Sequence, residues 1–327
     1  MEKAGGSALS PGLPSPSYPS PCERVSAAVS RCVEPRDSRP SLCDLSPTSS
    51  RDPPSADMTS LLCTENPRGE ARALYDAQIC SNQQVFDNLL LLELRYTPRV
   101  NYIETVQRVV QSESRRVCTS WMLELTEDCK FEDTVFPMAV SIMDRFLCLG
   151  SVSRAQFQLT ACSSLMMASK LRSVHGFPRG IFEMHSNYTI NPAQLVSWET
   201  LMAFKLKWDL ESVTANDFVD HMIARLPAIQ KLQQSRLVRC HAHVLAHLAI
   251  TDASTITTKP SLIATAAIIG ALRGLNLHSV STEQICDLTG AAPSTVEHLV
   301  MLTEKLLENY TTNVNHSLQC FSSYPTP

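Results

Sequence analysis

Two stretches of this chain are apolar on nearly every side of a helix, and both are rich in small residues. QLTACSSLMMASKL spans 158–171 and SLIATAAIIGALRGL spans 261–275. A helix that is apolar all round is buried all round, and Ala, Ser, Thr, Cys and Gly let neighbouring helices approach closely. Cys162 and Thr265 hold matching places in the two, about 100 residues apart, the length of one small domain. The spacing predicts an internal repeat. Each copy is a five-helix bundle built round one central buried helix.

The remainder reads as helix or as low complexity. Helical patterns lie near 69–95, 101–112, 114–128, 133–149, 153–172, 178–186 and 192–206. Others lie near 214–226, 230–251, 260–274, 281–289 and 293–310. Capping residues open several of them: Ser153, Asn191-Pro192, Thr214, Pro260-Ser261, Ser281 and Pro293-Ser294. Pro137 is expected to bend its helix slightly. No stretch sustains the two-residue alternation of a strand. Residues 1–57 are rich in Pro and Ser with little apolar periodicity, so they are expected to be disordered. Their Ser-Pro pairs, at Ser10, Ser15, Ser20 and Ser46, read either as solvated low complexity or as targets of proline-directed kinases.

Composition narrows the function classes. Of 327 residues 44% are hydrophobic and 18% charged, with a net charge of −4, which suits one or two globular domains and an appendage. The acidic balance argues against direct nucleic-acid binding. No apolar run reaches the ~18 residues that span a bilayer, and no secretory signal opens the chain. The 12 cysteines contain no C-x-x-C and read as reduced thiols. His243 and His247 stand at i and i+4, but without a Cys or carboxylate set they read as helix-surface histidines and not as metal ligands. There is no Gly-rich phosphate loop, nucleophile elbow or H-E-x-x-H, so neither catalysis nor a cofactor is expected.

What composition leaves unexplained is charge on apolar helical faces. Arg115, Asp144 and Lys170 sit inside or beside such faces, where an unpaired charge costs several kcal/mol. Arg115 and Asp144 fall on consecutive helices facing one core, the arrangement of a buried ion pair. Lys170 closes an apolar helix and Glu199 sits within another. Alone, they read as a helix-end lysine and a solvated glutamate. Val117, Trp121 and Glu124 share one helical face, near Arg154, Phe157 and Gln158 at the start of the next apolar helix but one. Leu61, Cys63 and Glu65 form L-x-C-x-E, and in an extended segment alternate residues present one side to a groove.

Taken together, RRVCTSWMLEL, MDRFL, FQLTACSSLMMASKL and WETLMAFKLKWDL resemble the cyclin box, and WMLEL, VFPMAV, KLKWDL and GLNL resemble a D-type cyclin. The resemblance covers roughly residues 58–310. It implies an all-α fold of tandem cyclin boxes and a regulatory subunit that activates a cyclin-dependent kinase at the G1/S transition. Lys170 and Glu199 would contact the kinase beside its regulatory helix, and Arg115 with Asp144 would form an internal pair. Val117, Trp121, Glu124, Arg154, Phe157 and Gln158 would form a docking patch for Arg-x-Leu segments of substrates and of kinase inhibitor proteins. Ser114 and Cys118 depart from the family's larger apolar residues there, so a simple packed helix stays open as the other reading. Leu61, Cys63 and Glu65 would bind retinoblastoma-family pocket proteins, and Thr326-Pro327 echoes a phosphodegron threonine. The implied location is nucleus and cytoplasm. The expected organisation is a 1–57 extension, a 58–68 motif segment, a first box over 69–210 with its preceding helix, a second box over 211–311 and a 312–327 tail. Two other readings share the fold: a transcription-associated two-box protein, which a basic stripe across the second box would support, and a non-activating helical scaffold.

Overall fold

The computed structural model of the chain describes residues 76–322, apart from 175, 178–179, 183–189, 233 and 279, with side chains described as far as 312. The first leucine-rich pattern is two helices, not one. Asn82 accepts from the N–H groups of Gln84 and Val85 and starts a new helix, dividing α1 (Ala77–Ser81) from α2 (Gln83–Tyr96). The helix expected over 101–112 is cut to a single turn, α3 (Tyr102–Thr105). Its would-be continuation is drawn into another task. The buried Gln107 amide donates to the carbonyls of Leu147 and Gly150 and accepts from Val152 N–H, satisfying backbone groups at the end of α5 and in the loop after it.

Among the described residues the first bundle comprises α4 (Ser112–Asp128), α5 (Val135–Leu147), α6 (Arg154–Arg172) and α7 (Pro192–Lys205), and most of the helix expected near 178–186 lies outside them. A capping box of Ser153 and Gln156 opens α6, and every residue from Thr160 to Ser169 is buried against α4, α5 and α7. Pro137 does not interrupt α5. The helix starts at Val135, so Pro137 lies in the first turn, where the N–H groups have no intrahelical acceptor to lose.

The second bundle comprises α8 (Ala215–Ala224), α9 (Pro227–Gln230), α10 (Ser235–Thr251), α11 (Pro260–Gly274), α12 (Thr282–Thr289) and α13 (Pro293–Ser322). Here α11 is the central helix, buried from Ile263 to Leu272 against α8, α10, α12 and α13. The repeat read from the two small-residue stretches is therefore a repeat of architecture. Gly290, at φ +63°, supplies the left-handed residue that closes α12. Two separate cores result, one around Met122, Phe136, Met143 and Leu165, the other around Phe218, Leu245, Ile268 and Val300. The second core also takes Phe86 and Tyr96 of α2. Among the described residues there is no strand, and no helix is long and apolar enough to cross a membrane.

Candidate functional site

Arg115 of α4 and Asp144 of α5 lie 2.7 Å apart, the first 1% and the second 6% exposed. The pair is one part of a larger network. Tyr102 donates its phenol to Asp144 at 2.7 Å and accepts from Arg115 Nε at 3.0 Å. The remaining guanidinium nitrogen donates to the carbonyls of Ile250, Thr251 and Asp252 at 3.1, 3.2 and 3.2 Å, at the C-terminal end of α10. Thr119 adds its hydroxyl to Thr251 O. Burial alone would lower the Arg115 pKa, but Asp144 and then Tyr102 more than offset it, so the guanidinium stays charged. Burial followed by the Asp144 charge pushes the Tyr102 phenol well up. The sequence pointed to two members of this network. Tyr102 carried no signal because the fold alone decides what its phenol meets, and the second-bundle carbonyls carried none because backbone acceptors have no sequence.

Lys170 in the last turn of α6 reaches Glu199 of α7 at 2.5 Å, on the outside of the first bundle. The lysine is half exposed, whereas the Glu199 side chain is only 17% exposed. It is a held carboxylate and not the solvated glutamate its position alone suggested. Exposed apolar residues flank the pair in sequence: Leu171 in the last turn of α6 and Val174 just beyond it, Leu201 and Phe204 on α7. The turn after α7 adds Trp208, 71% exposed. Lys207 and Trp208 both take positive φ, 56° and 61°, and Trp208 N–H closes back on Ala203 O at 2.8 Å. A bulky residue seldom adopts that conformation, and here it turns the indole outward.

On α4, Val117 is exposed and Trp121 and Glu124 are half-buried, while at the start of α6 Arg154 and Gln158 are exposed and Phe157 is buried. Between them Cys118 is held as a neutral thiol, its pKa pushed up to about 12 by burial. An open groove lies along a neighbouring face of α6, against α7, lined by Gln156, Leu159, Gln194, Trp198 and Leu201. Leu61, Cys63 and Glu65 lie outside the described residues, as do Ser10, Ser15, Ser20, Ser46 and Thr326.

His243 and His247 are not on the helix surface. Both are buried where α10 meets the loop before α5. Asn216 donates to Asp133 O at 3.1 Å and lies 3.0 Å from His247 Nε2. Phe136 meets the His247 ring edge-on at 5.4 Å, and His243 Nδ1 is 3.8 Å from the Asp133 carboxylate. Among the described residues no three side chains gather as metal ligands. Burial lowers the His247 pKa from 6.5 to about 4, with His243 reinforcing and Asp133 opposing. The folded form thus stays neutral where the unfolded chain takes a proton, so the contribution of His247 to stability is complete above pH 6.5 and is lost as pH falls toward 4. His247→Gln should remove about 2–3 kcal/mol of the stability difference between pH 7 and pH 4.5. Urea titrations at the two pH values check it, and an unchanged difference in stability between them would mean that His247 is solvated.

In the second bundle, Arg225 donates to the carbonyls of Cys80 and Asn82, Arg239 pairs with Asp220 and Arg273 with Glu297. Three arginines that could have contributed to a basic stripe are thus engaged within the chain.

Comparison with known proteins agrees with this architecture. Residues 84–211 match the family described as cyclin, N-terminal domain, and residues 213–327 match cyclin, C-terminal domain. The chain is 33% identical over 267 residues to the G1/S-specific cyclin-D3 of Homo sapiens, covering 82% of this chain and 91% of that protein. It is 34% identical over 242 residues to the G1/S-specific cyclin-D2 of Gallus gallus, covering 73% and 82%. Among solved structures, a viral cyclin from herpesvirus saimiri superposes with a TM-score of 0.61 at 23% identity, over 69% of this chain and 97% of that one.

Proposed function

This chain belongs to the D-type cyclin family, and from that premise we propose that it directs a cyclin-dependent kinase toward retinoblastoma-family pocket proteins at the G1/S transition. Its role is that of a regulatory subunit partnered by such a kinase, and the chemistry belongs to the kinase. The observation that carries the kinase-docking reading is the Lys170–Glu199 pair, flanked in sequence by Leu171, Leu201 and Phe204 on the outside of the first bundle. A charge pair that can hydrogen-bond a partner's main chain fixes register across an otherwise apolar contact. Docking there would press the kinase's mobile helix inward and bring its glutamate to the phosphate-orienting lysine, completing the ATP site.

The pocket protein would be held at Leu61, Cys63 and Glu65, and tethering raises its effective concentration at the kinase. Kinase inhibitor proteins and Arg-x-Leu substrates would use the α4–α6 patch of Val117, Trp121, Glu124, Arg154, Phe157 and Gln158. Cys63→Ala or Glu65→Ala should lower phosphorylation of a pocket-protein substrate several-fold while leaving a short generic peptide unchanged. Glu65 would accept charge-assisted hydrogen bonds of ~1.5–3 kcal/mol. Equal losses on both substrates would show that the motif is no separate docking site. The nuclear and cytoplasmic location belongs to the same proposal. No observation favours the transcription-associated reading, since Arg225, Arg239 and Arg273 are engaged within the chain.

A further inference from the structure

α2 touches both bundles, and polar groups make several of the contacts. Near its start, Phe86 meets Phe218 of the second core edge-on at 6.0 Å, with the Arg225 guanidinium 4.3 Å from its ring centre. At its end, Tyr96 donates to Asp209 at 3.2 Å beneath the guanidinium of Arg145 from α5. Arg145 also donates to the carbonyls of Asp209 and Glu211, in the segment joining the bundles.

Between these points stands Glu93, only 2% exposed. Its carboxylate accepts from the backbone N–H and from the hydroxyl of Ser261, both at 3.0 Å. Ser261 is the second residue of α11, whose own preceding residue, Lys259, provides no side-chain cap. Glu93 therefore supplies from another helix the acceptor that α11 lacks locally, and it faces the positive end of the α11 dipole. A buried carboxylate is retained only when such donors hold it.

The same hairpin of the second bundle is thus gripped by opposite charges from two sides. Arg115 of α4 reads the C-terminal end of α10, and Glu93 of α2 reads the N-terminal end of α11. Between them the packing is incomplete: a cavity of about 70 Å³ is lined by Tyr96, Arg115, Val213, Thr255 and Ile263 among others. That is room for about two waters. Apolar contacts cross the junction, with Ile256 in the first core and Ile250 packed against both, but they leave this gap, so directional polar contacts share in setting its geometry.

We propose that α2 is a strap fixing the mutual orientation of the two bundles, and that Glu93 is the positioning residue that holds it closed. Hydrogen exchange on the full chain tests the second half, and the distance between spin labels at the exposed positions 149 and 301 tests the first. The labels are attached through genetically encoded keto residues, so the native cysteines stay untouched. Glu93→Ala should raise exchange across 86–96 at least tenfold, leave α6 protected, and broaden the distance distribution. Glu93→Gln, which still accepts from Ser261 N–H, should fall between that variant and the parent, and Ser261→Ala should raise exchange a few-fold. Parent-like protection of α2 in Glu93→Ala would overturn the role of Glu93. A released α2 with distances as narrow as the parent's would overturn the strap. If Glu93→Ala does not fold, Glu93→Gln and Ser261→Ala give both readouts at smaller amplitude, and no change in either overturns the proposal.

Discussion

Arg115→Ala should cost the chain about 3–5 kcal/mol of stability, the range seen when one partner of a buried ion pair is removed. The loss has three sources in this structure. Asp144 is left 6% exposed with its cation gone, Tyr102 loses a donor, and three carbonyls at the end of α10 lose theirs. For a folded body of this size each kcal/mol moves the melting temperature by roughly 2–4 °C, so thermal unfolding should shift by roughly 10 °C. Arg115→Lys should recover only part of it, because a single ammonium cannot serve Asp144 and the carbonyls together. A melting temperature within a degree or two of the parent would sink the account of a buried network.

The second large effect concerns binding and leaves the fold alone. Lys170→Glu and Glu199→Lys should each weaken association with a cyclin-dependent kinase of the D-cyclin class by tenfold or more, about 1.4 kcal/mol. Each places like charges where the structure holds a 2.5 Å pair. Stability should change little, since a pair at the bundle surface whose lysine is half exposed contributes about 0–1 kcal/mol. The charge-swapped double variant separates the two roles. It restores the internal pair and should still bind weakly, because each charge now faces the wrong main-chain group of the partner. Parent-like affinity of that double variant, measured by titration calorimetry, would show that the pair serves only the fold.

Much of the architecture was legible in one dimension. Apolar, small-residue helices at 158–171 and 261–275 can lie only at bundle centres, because no face of either can meet water. The cap residues Ser153 and Ser281 place the starts of α6 and α12 as expected, for capping is a local matter of one side chain and two or three N–H groups. Arg115 and Asp144 stood out since a charge within an apolar pattern needs a partner. Glu93 broke the run Leu89–Leu94 in the same way, and the Pro260-Ser261 start of α11 was visible too. Nothing in the sequence joined them across that separation.

The misplacements share a cause. The 101–112 pattern was read as helix, yet Gln107 leaves the helix to satisfy a loop about forty residues away. His243 and His247 looked like surface residues because periodicity sets which face of α10 they share, while burial of that face depends on Asn216 and Phe136 from other helices. By itself the sequence determined which helices form and which two must be central, since these follow from local propensity and from the apolar pattern along one helix. Only the tertiary structure decided how the two bundles meet, through Arg115 on the carbonyls of α10 and Glu93 on the amides of α11. Those contacts are between side chains and backbone groups far apart in the chain, and backbone groups carry no sequence.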